Sequence, residues 1–122
     1  MSIKFDIKTK LPTLNEYIDA ERINKFQAAA MKKKFTKVCA IYALKISDKI
    51  DPNKLYSLII NWNVDNNRSD PDNVYFGVKY ILDGLVNARV LDNDGRKNIK
   101  SIHHNIKTVK HYNVEVILTP EN

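Results

Sequence analysis

Residues 56–87 read YSLIINWNVDNNRSDPDNVYFGVKYILDGLVN, and the change of repeat within them decides the architecture. Tyr56, Leu58, Ile60, Trp62 and Val64 alternate with Ser57, Ile59, Asn61 and Asn63, the two-residue repeat of a strand. Trp62 falls on the apolar side and is expected in the core. The run then meets DNNRSDPDN, where Asp70 suits a helix N-cap and Pro71 the first helical position, so a helix is expected to about Asn87. Val74, Val78, Ile81, Leu82 and Leu85 gather on one arc of it, while Asp72, Phe76, Lys79 and Asp83, at spacings of four, three and four, line the other. Two acids and a lysine therefore look away from the core.

Upstream, Ile3, Phe5 and Ile7 alternate with Lys4, Asp6 and Lys8, a half-buried strand that stops at Leu11-Pro12. LPTLNEY reads as an irregular connection in which Asn15 is a turn or capping residue or, alternatively, a contact to a ligand. From about Ile18 to Ile46 there is no Gly or Pro, and the alanine-rich middle favours one helix. Met31, Phe35, Val38, Tyr42 and Ile46 mark its buried stripe, and Arg22, Lys25, Lys32, Lys33 and Lys37 project from the opposite side. By itself such a basic face is a solvated surface; phosphate contact becomes attractive only if another feature calls for nucleic acid.

Downstream, VLDNDGRKNI places Asp92 and Asp94 in a Gly-containing turn. Two strands follow, from roughly Ile99 to Val109 and from Tyr112 to Leu118, with Lys107, Lys110 and His111 near their connection. His103 and His104 are adjacent in a strand and point to opposite faces, so they cannot share a metal and are expected to be structural or surface residues. No repeat or linker interrupts the order. Residues 1–122 are expected to form one α/β (α+β) domain, β-α-β-α-β-β, with a small mixed sheet and helices packed on it.

Composition agrees with that reading. A 43% apolar and 28% charged chain of 122 residues suits one globular domain with a real core. The formal charge of +6 is compatible with a polyanionic partner, and its placement matters more than its total. The single Cys39, flanked by Val38, Ala40 and Ile41, cannot form an intramolecular disulfide or a cysteine cluster and is expected as a buried thiol. MSIKFDIKTK alternates where a signal peptide would run apolar, and no stretch reaches the roughly 20 apolar residues of a membrane span. The expected location is the cytoplasm, without a membrane partner.

Hard divalent cations take oxygen ligands, and Asp70 and Asp72, flanking a proline at the end of a strand, make a reasonable platform for one. Neither Asp70-Pro71-Asp72 nor Asp92-Asn93-Asp94 continues as an EF-hand loop, and no P-loop, dinucleotide fingerprint or nucleophile elbow occurs.

The run Arg68-Ser69-Asp70-Pro71-Asp72-Asn73, then Lys79 with Asp83-Gly84-Leu85, then Leu91-Asp92-Asn93-Asp94-Gly95, resembles the RusA family of Holliday junction resolvases. LPTLNEYIDAER resembles the N-terminal part of phage and prophage members, so the likeness covers most of the chain. By that resemblance Asp70, Asp72 and Asp94 are the metal-binding acids and Lys79 the catalytic lysine. Lys79 lies seven residues after Asp72, one helical turn later than in some members, and keeps its spacing to Asp83. The first acid of the family's acidic pair is Asn93 here, leaving Asp92 or Asp94 as third ligand; Asp94, eleven residues after Asp83, fits better. Asp83 is a further ligand, a partner of Lys79 or a helix-surface charge.

The resemblance implies a Mg²⁺-dependent endodeoxyribonuclease, with Mn²⁺ as a substitute, that resolves four-way junctions by paired phosphodiester hydrolysis in DNA recombination and repair. It also implies a homodimer in a bacterial or phage-infected cell, because paired nicks need two sites at a fixed separation. Asn15, Arg22, Lys25, Lys32, Lys33, Lys37, Arg68, Arg96, Lys97, Lys107 and Lys110 would hold DNA around the acids. The competing expectations are a nuclease for other branched DNA and a non-catalytic junction-binding architectural protein.

Overall fold

A computed structural model, describing residues 1–121, orders the chain as β1 (Ile3–Ile7), α1 (Leu14–Ile23), α2 (Lys25–Ala43), β2 (Tyr56–Val64), α3 (Pro71–Tyr75), α4 (Val78–Asn87), β3 (Ile99–Thr108) and β4 (Asn113–Pro120). The strands make one four-stranded sheet in the order β1-β4-β2-β3; β2 and β3 run parallel, and the other two pairs are antiparallel. The mixed α/β architecture is therefore the expected one. No described helix is long and apolar enough to cross a membrane.

Strand alternation becomes alternation of burial. Phe5, Val116, Ile60 and His104 form one cross-strand row, and Ile7, Val114, Trp62 and Ile106 the next. Apart from the half-buried His104 and Ile106 on β3, these side chains are buried. Each large apolar side chain taken fully out of water contributes roughly 1.5–3 kcal/mol. The opposite face is polar and half-exposed: Asn61 Nδ2 donates to Glu115 Oε1 at 2.9 Å, and Asn105 Nδ2 to Asn61 Oδ1 at 3.0 Å.

Each of the two expected helices is broken. The first begins at Leu14, not near Ile18, because Thr13 and Glu16 form a reciprocal capping box. It ends at Asn24, whose extended backbone (φ −174°, ψ 165°) closes α1 through its N–H to Ala20 O. The Asn24 side chain accepts from Gln27 N at 2.9 Å and so opens α2. A residue that caps in both directions outweighs the helix preference of its neighbours. The second break, at Phe76-Gly77, separates α3 from α4 where Gly77 lies against the Trp62 ring: a Cβ there would stand 2.9 Å from Trp62 Cη2.

The buried stripe of α2 also differs from expectation. Ala28, Cys39, Ala40 and Ala43 are its buried residues, while Met31, Phe35, Val38 and Tyr42 are half-buried and Ile46, in the following 3₁₀ turn, is buried. Small residues are needed because α4 comes close at Gly84, where a Cβ would meet Cys39 Cβ at 2.6 Å and Ala40 N at 2.9 Å. The buried Cys39 thiol is pushed up to about 12. Gly84→Val must push the two helices apart and is expected to lower stability by roughly 1–3 kcal/mol. A shift of the urea midpoint checks this; an unchanged midpoint would mean the contact is looser than described.

Candidate metal and phosphate site

The segment carrying the first acids leaves the sheet at the end of β2, where Val109 N donates to Val64 O at 2.7 Å. Asp65 is engaged structurally: Lys10 Nζ lies 2.8 Å away, and that bond chiefly holds the Asp65 carboxyl below its usual range. Asn66 Oδ1 accepts from Arg68 N at 3.0 Å and turns the chain toward Asp70.

Asp70 occupies the N-cap of α3, with Pro71 in the first turn. Its carbonyl accepts from Asn73 N and Val74 N, yet its side chain makes no capping bond. An N-cap aspartate ordinarily spends its carboxylate on the helix; here the exposed carboxylate has no partner among the described residues. Asp72 is exposed two residues later, and its Oδ1 accepts from Asn73 N at 3.0 Å. Asn73 Oδ1 in turn accepts from Asn15 N at 2.9 Å, which ties the first turn of α1 to the acidic segment. Asn15 therefore sits beside these acids, inside a helix and not in a loop.

Lys79 is exposed in the first turn of α4 and forms no ion pair among the described residues. Asp83 turns the other way: its carboxylate lies 3.9 Å from Lys32 Nζ on α2. Of the roles open to Asp83, a charge facing the neighbouring helix is the one the geometry supplies. Phe76, expected on an outward face, is half-buried against Tyr17 and Tyr80.

Asp94 is not brought to Asp70 and Asp72 within one chain. The loop from Asp92 to Lys97 is exposed and tied to the entry of β2: Asp92 N donates to Pro52 O at 3.0 Å. The buried Asn98 side chain donates to Pro52 O and Lys54 O at 2.8 and 2.9 Å. Asp70 follows the exit of that same strand. Between them runs α4, ten residues and ~15 Å of helix. Parallel strands impose this, because the crossover must carry the chain back to the starting end of the sheet. Among the described residues no three His, Cys, Asp or Glu side chains stand close enough to hold one metal ion.

The donors fit a hard cation as a pair, not as a triad. Mg²⁺ commonly takes one or two carboxylates and leaves its other positions to water and substrate phosphate. Asp70 and Asp72 supply such oxygens, and Asp94 of the same chain does not join them.

Arg22, Lys25, Lys32, Lys33, Lys37, Arg68, Arg96, Lys97, Lys107 and Lys110 are all exposed. They are spread over the molecule: Arg96 and Lys97 lie at the entry end of β2, and Lys107, paired with Asn63, on the open face of the sheet. Arg68 and Ser69 line a cleft of about 450 Å³ whose walls include Met31 and Phe35 of α2. Two features escaped the sequence reading. The capping box was legible as Thr13-x-x-Glu16; the stack of His104 on Tyr75 had no local signal. Compared with known family models and with curated proteins, the chain matches none.

Proposed function

We propose that the chain is a Mg²⁺-dependent, structure-selective endodeoxyribonuclease that resolves four-way DNA junctions as a homodimer. The observation that carries this reading is the Asp70 carboxylate at the start of α3, which makes no capping bond, with exposed Asp72 two residues on and, in the next helix, Lys79, which has no ion pair among the described residues. The likeness of these motifs to the RusA family supplies the substrate class.

Asp70 and Asp72 would hold the ion, which would supply a lowered pKa for bound water and positive charge beside the phosphate. Lys79 stabilises charge developing on the phosphate, since a fixed cation needs no reorganisation during the reaction. The exposed Lys and Arg side chains offset the repulsion between DNA and an acidic cluster. Asp94 acts from the second copy: a two-fold partner places its own Asp92–Lys97 loop beside the Asp70 segment, and the reciprocal contact makes a second site. The junction has the same approximate two-fold symmetry, so two sites meet two opposed strands.

The test is one synthetic four-way junction assayed beside linear duplex and a flap substrate, with Mg²⁺, Mn²⁺ or EDTA. The proposal expects paired cleavage of the junction with either metal and none in EDTA. Flap cleavage in preference to the junction would make the chain a nuclease for other branched DNA. Binding indifferent to metal, without cleavage, would make it an architectural protein.

A further inference from the structure

Three aromatic side chains, Trp62, His104 and Tyr75, pack together between the sheet and α3. Trp62, 1% exposed, donates its Nε1–H to His104 Nδ1 at 2.9 Å. The His104 ring lies on the Tyr75 ring, with centroids 4.6 Å apart and planes inclined by 18°. Tyr75 is three residues after Asp72, so the two are neighbours along one side of α3.

An indole N–H can only donate, so His104 Nδ1 must accept, and the neutral ring then carries its proton on Nε2. The imidazolium would aim a second N–H at the indole N–H. Burial, and after it the charge of neighbouring His103, lowers the His104 pKa and keeps the ring neutral. Among the described residues, the buried side-chain polar atoms without partners are Tyr80 Oη and Asn98 Oδ1. Among the described residues His104 Nε2 and the Tyr75 hydroxyl have no partner either, and both residues are half-buried, not enclosed. β3 is an edge strand, with β2 as its one neighbour in the sheet.

We propose that His104 Nε2–H is a phosphate-binding donor, which contacts an oxygen of a DNA phosphodiester lying along the β3 edge beside Asp72. A locked, neutral donor suits that position. It binds a phosphate oxygen without the positive charge that would pair with Asp72 and compete with a cation. The Tyr75 ring fixes the plane of the imidazole, so little freedom is lost when the bond forms. The inference rests on the nuclease reading for its ligand, DNA, but not for cleavage.

Junction binding in metal-free buffer tests it. His104→Leu is expected to weaken binding about tenfold or more, the loss of a hydrogen bond to a charged group. His104→Gln, which keeps an acceptor for Trp62 and an outward N–H, is expected to recover most of it. In the free wild-type protein, the ring ¹⁵N shifts are expected to show a protonated Nε2 and an unprotonated Nδ1, and the Nε2–H signal is expected to move when junction is added. A purely structural His104 would lower stability in the Leu variant and leave the affinity of the folded protein unchanged. If His104→Leu does not fold, the wild-type signal decides, and a signal unmoved by bound junction overturns the inference. Wild type that binds junction as well as His104→Leu does also overturns it, leaving the nuclease reading standing. Wild type that binds no junction overturns both.

Discussion

Asp72→Asn is expected to slow single-turnover cleavage of a four-way junction in Mg²⁺ by roughly three orders of magnitude, ~4 kcal/mol of transition-state free energy. Asp72 is exposed, and among the described residues the one bond to its carboxylate comes from the backbone N–H of Asn73, which an amide oxygen can accept equally well. The substitution therefore removes negative charge without removing a packing contact. Two carboxylates are all that one chain offers a cation at the start of α3, so the loss of one leaves a weak site. Junction affinity in metal-free buffer is expected to stay level or rise, because an acid that repels phosphate has gone. Full cleavage by the variant would mean that Asp72 merely decorates the first turn of α3.

The second large effect is expected from a mixture of two inactive proteins. Asp72→Asn and Asp94→Asn, each nearly inactive alone, are expected to regain cleavage when mixed and allowed to exchange subunits. The reason is the placement of Asp94 beside the entry of β2, the length of α4 away from Asp70 and Asp72. If each site combines the Asp70 segment of one copy with the Asp94 loop of the other, a mixed dimer carries both substitutions in one site and none in its second. About half of the dimers are then mixed after random exchange of a two-fold pair. Each of these should nick one strand, so nicked junctions outnumber paired cuts. A site built within one chain gives the opposite result, since both sites of a mixed dimer would be damaged and the mixture would stay as inactive as its parts.

Both predictions draw on residues legible in the sequence and on a placement that was not. Alternation located β2 to the residue and β3 and β4 to within two residues, because burial on one face of a sheet leaves a strict two-residue imprint; it gave the start of β1, which ends at Ile7, short of the Leu11-Pro12 where the pattern stops. Pro71 after Asp70 marked the start of α3. The breaks at Asn24 and Gly77 were not legible, since an uninterrupted helical pattern does not reveal a residue that caps two helices or one that lies against an indole ring. Asp83 faces Lys32 because α2 and α4 come close at Gly84, a distance no helical spacing reports.

His104 shows the same division. Adjacency to His103 sufficed to put the two rings on opposite faces, but the parallel register that sets His104 beside Ile60, within reach of Trp62, exists only once β2 and β3 pair. The sequence by itself determined which residues carry oxygen donors and positive charge, where the strands run and which of their faces is buried. These are properties of side-chain chemistry and local period. Tertiary structure alone decided that Asp70 and Asp72 share one end of the sheet while Asp94 lies toward the other. The physical reason is the crossover between parallel strands, which returns the chain to its starting end and separates residues that lie close in sequence.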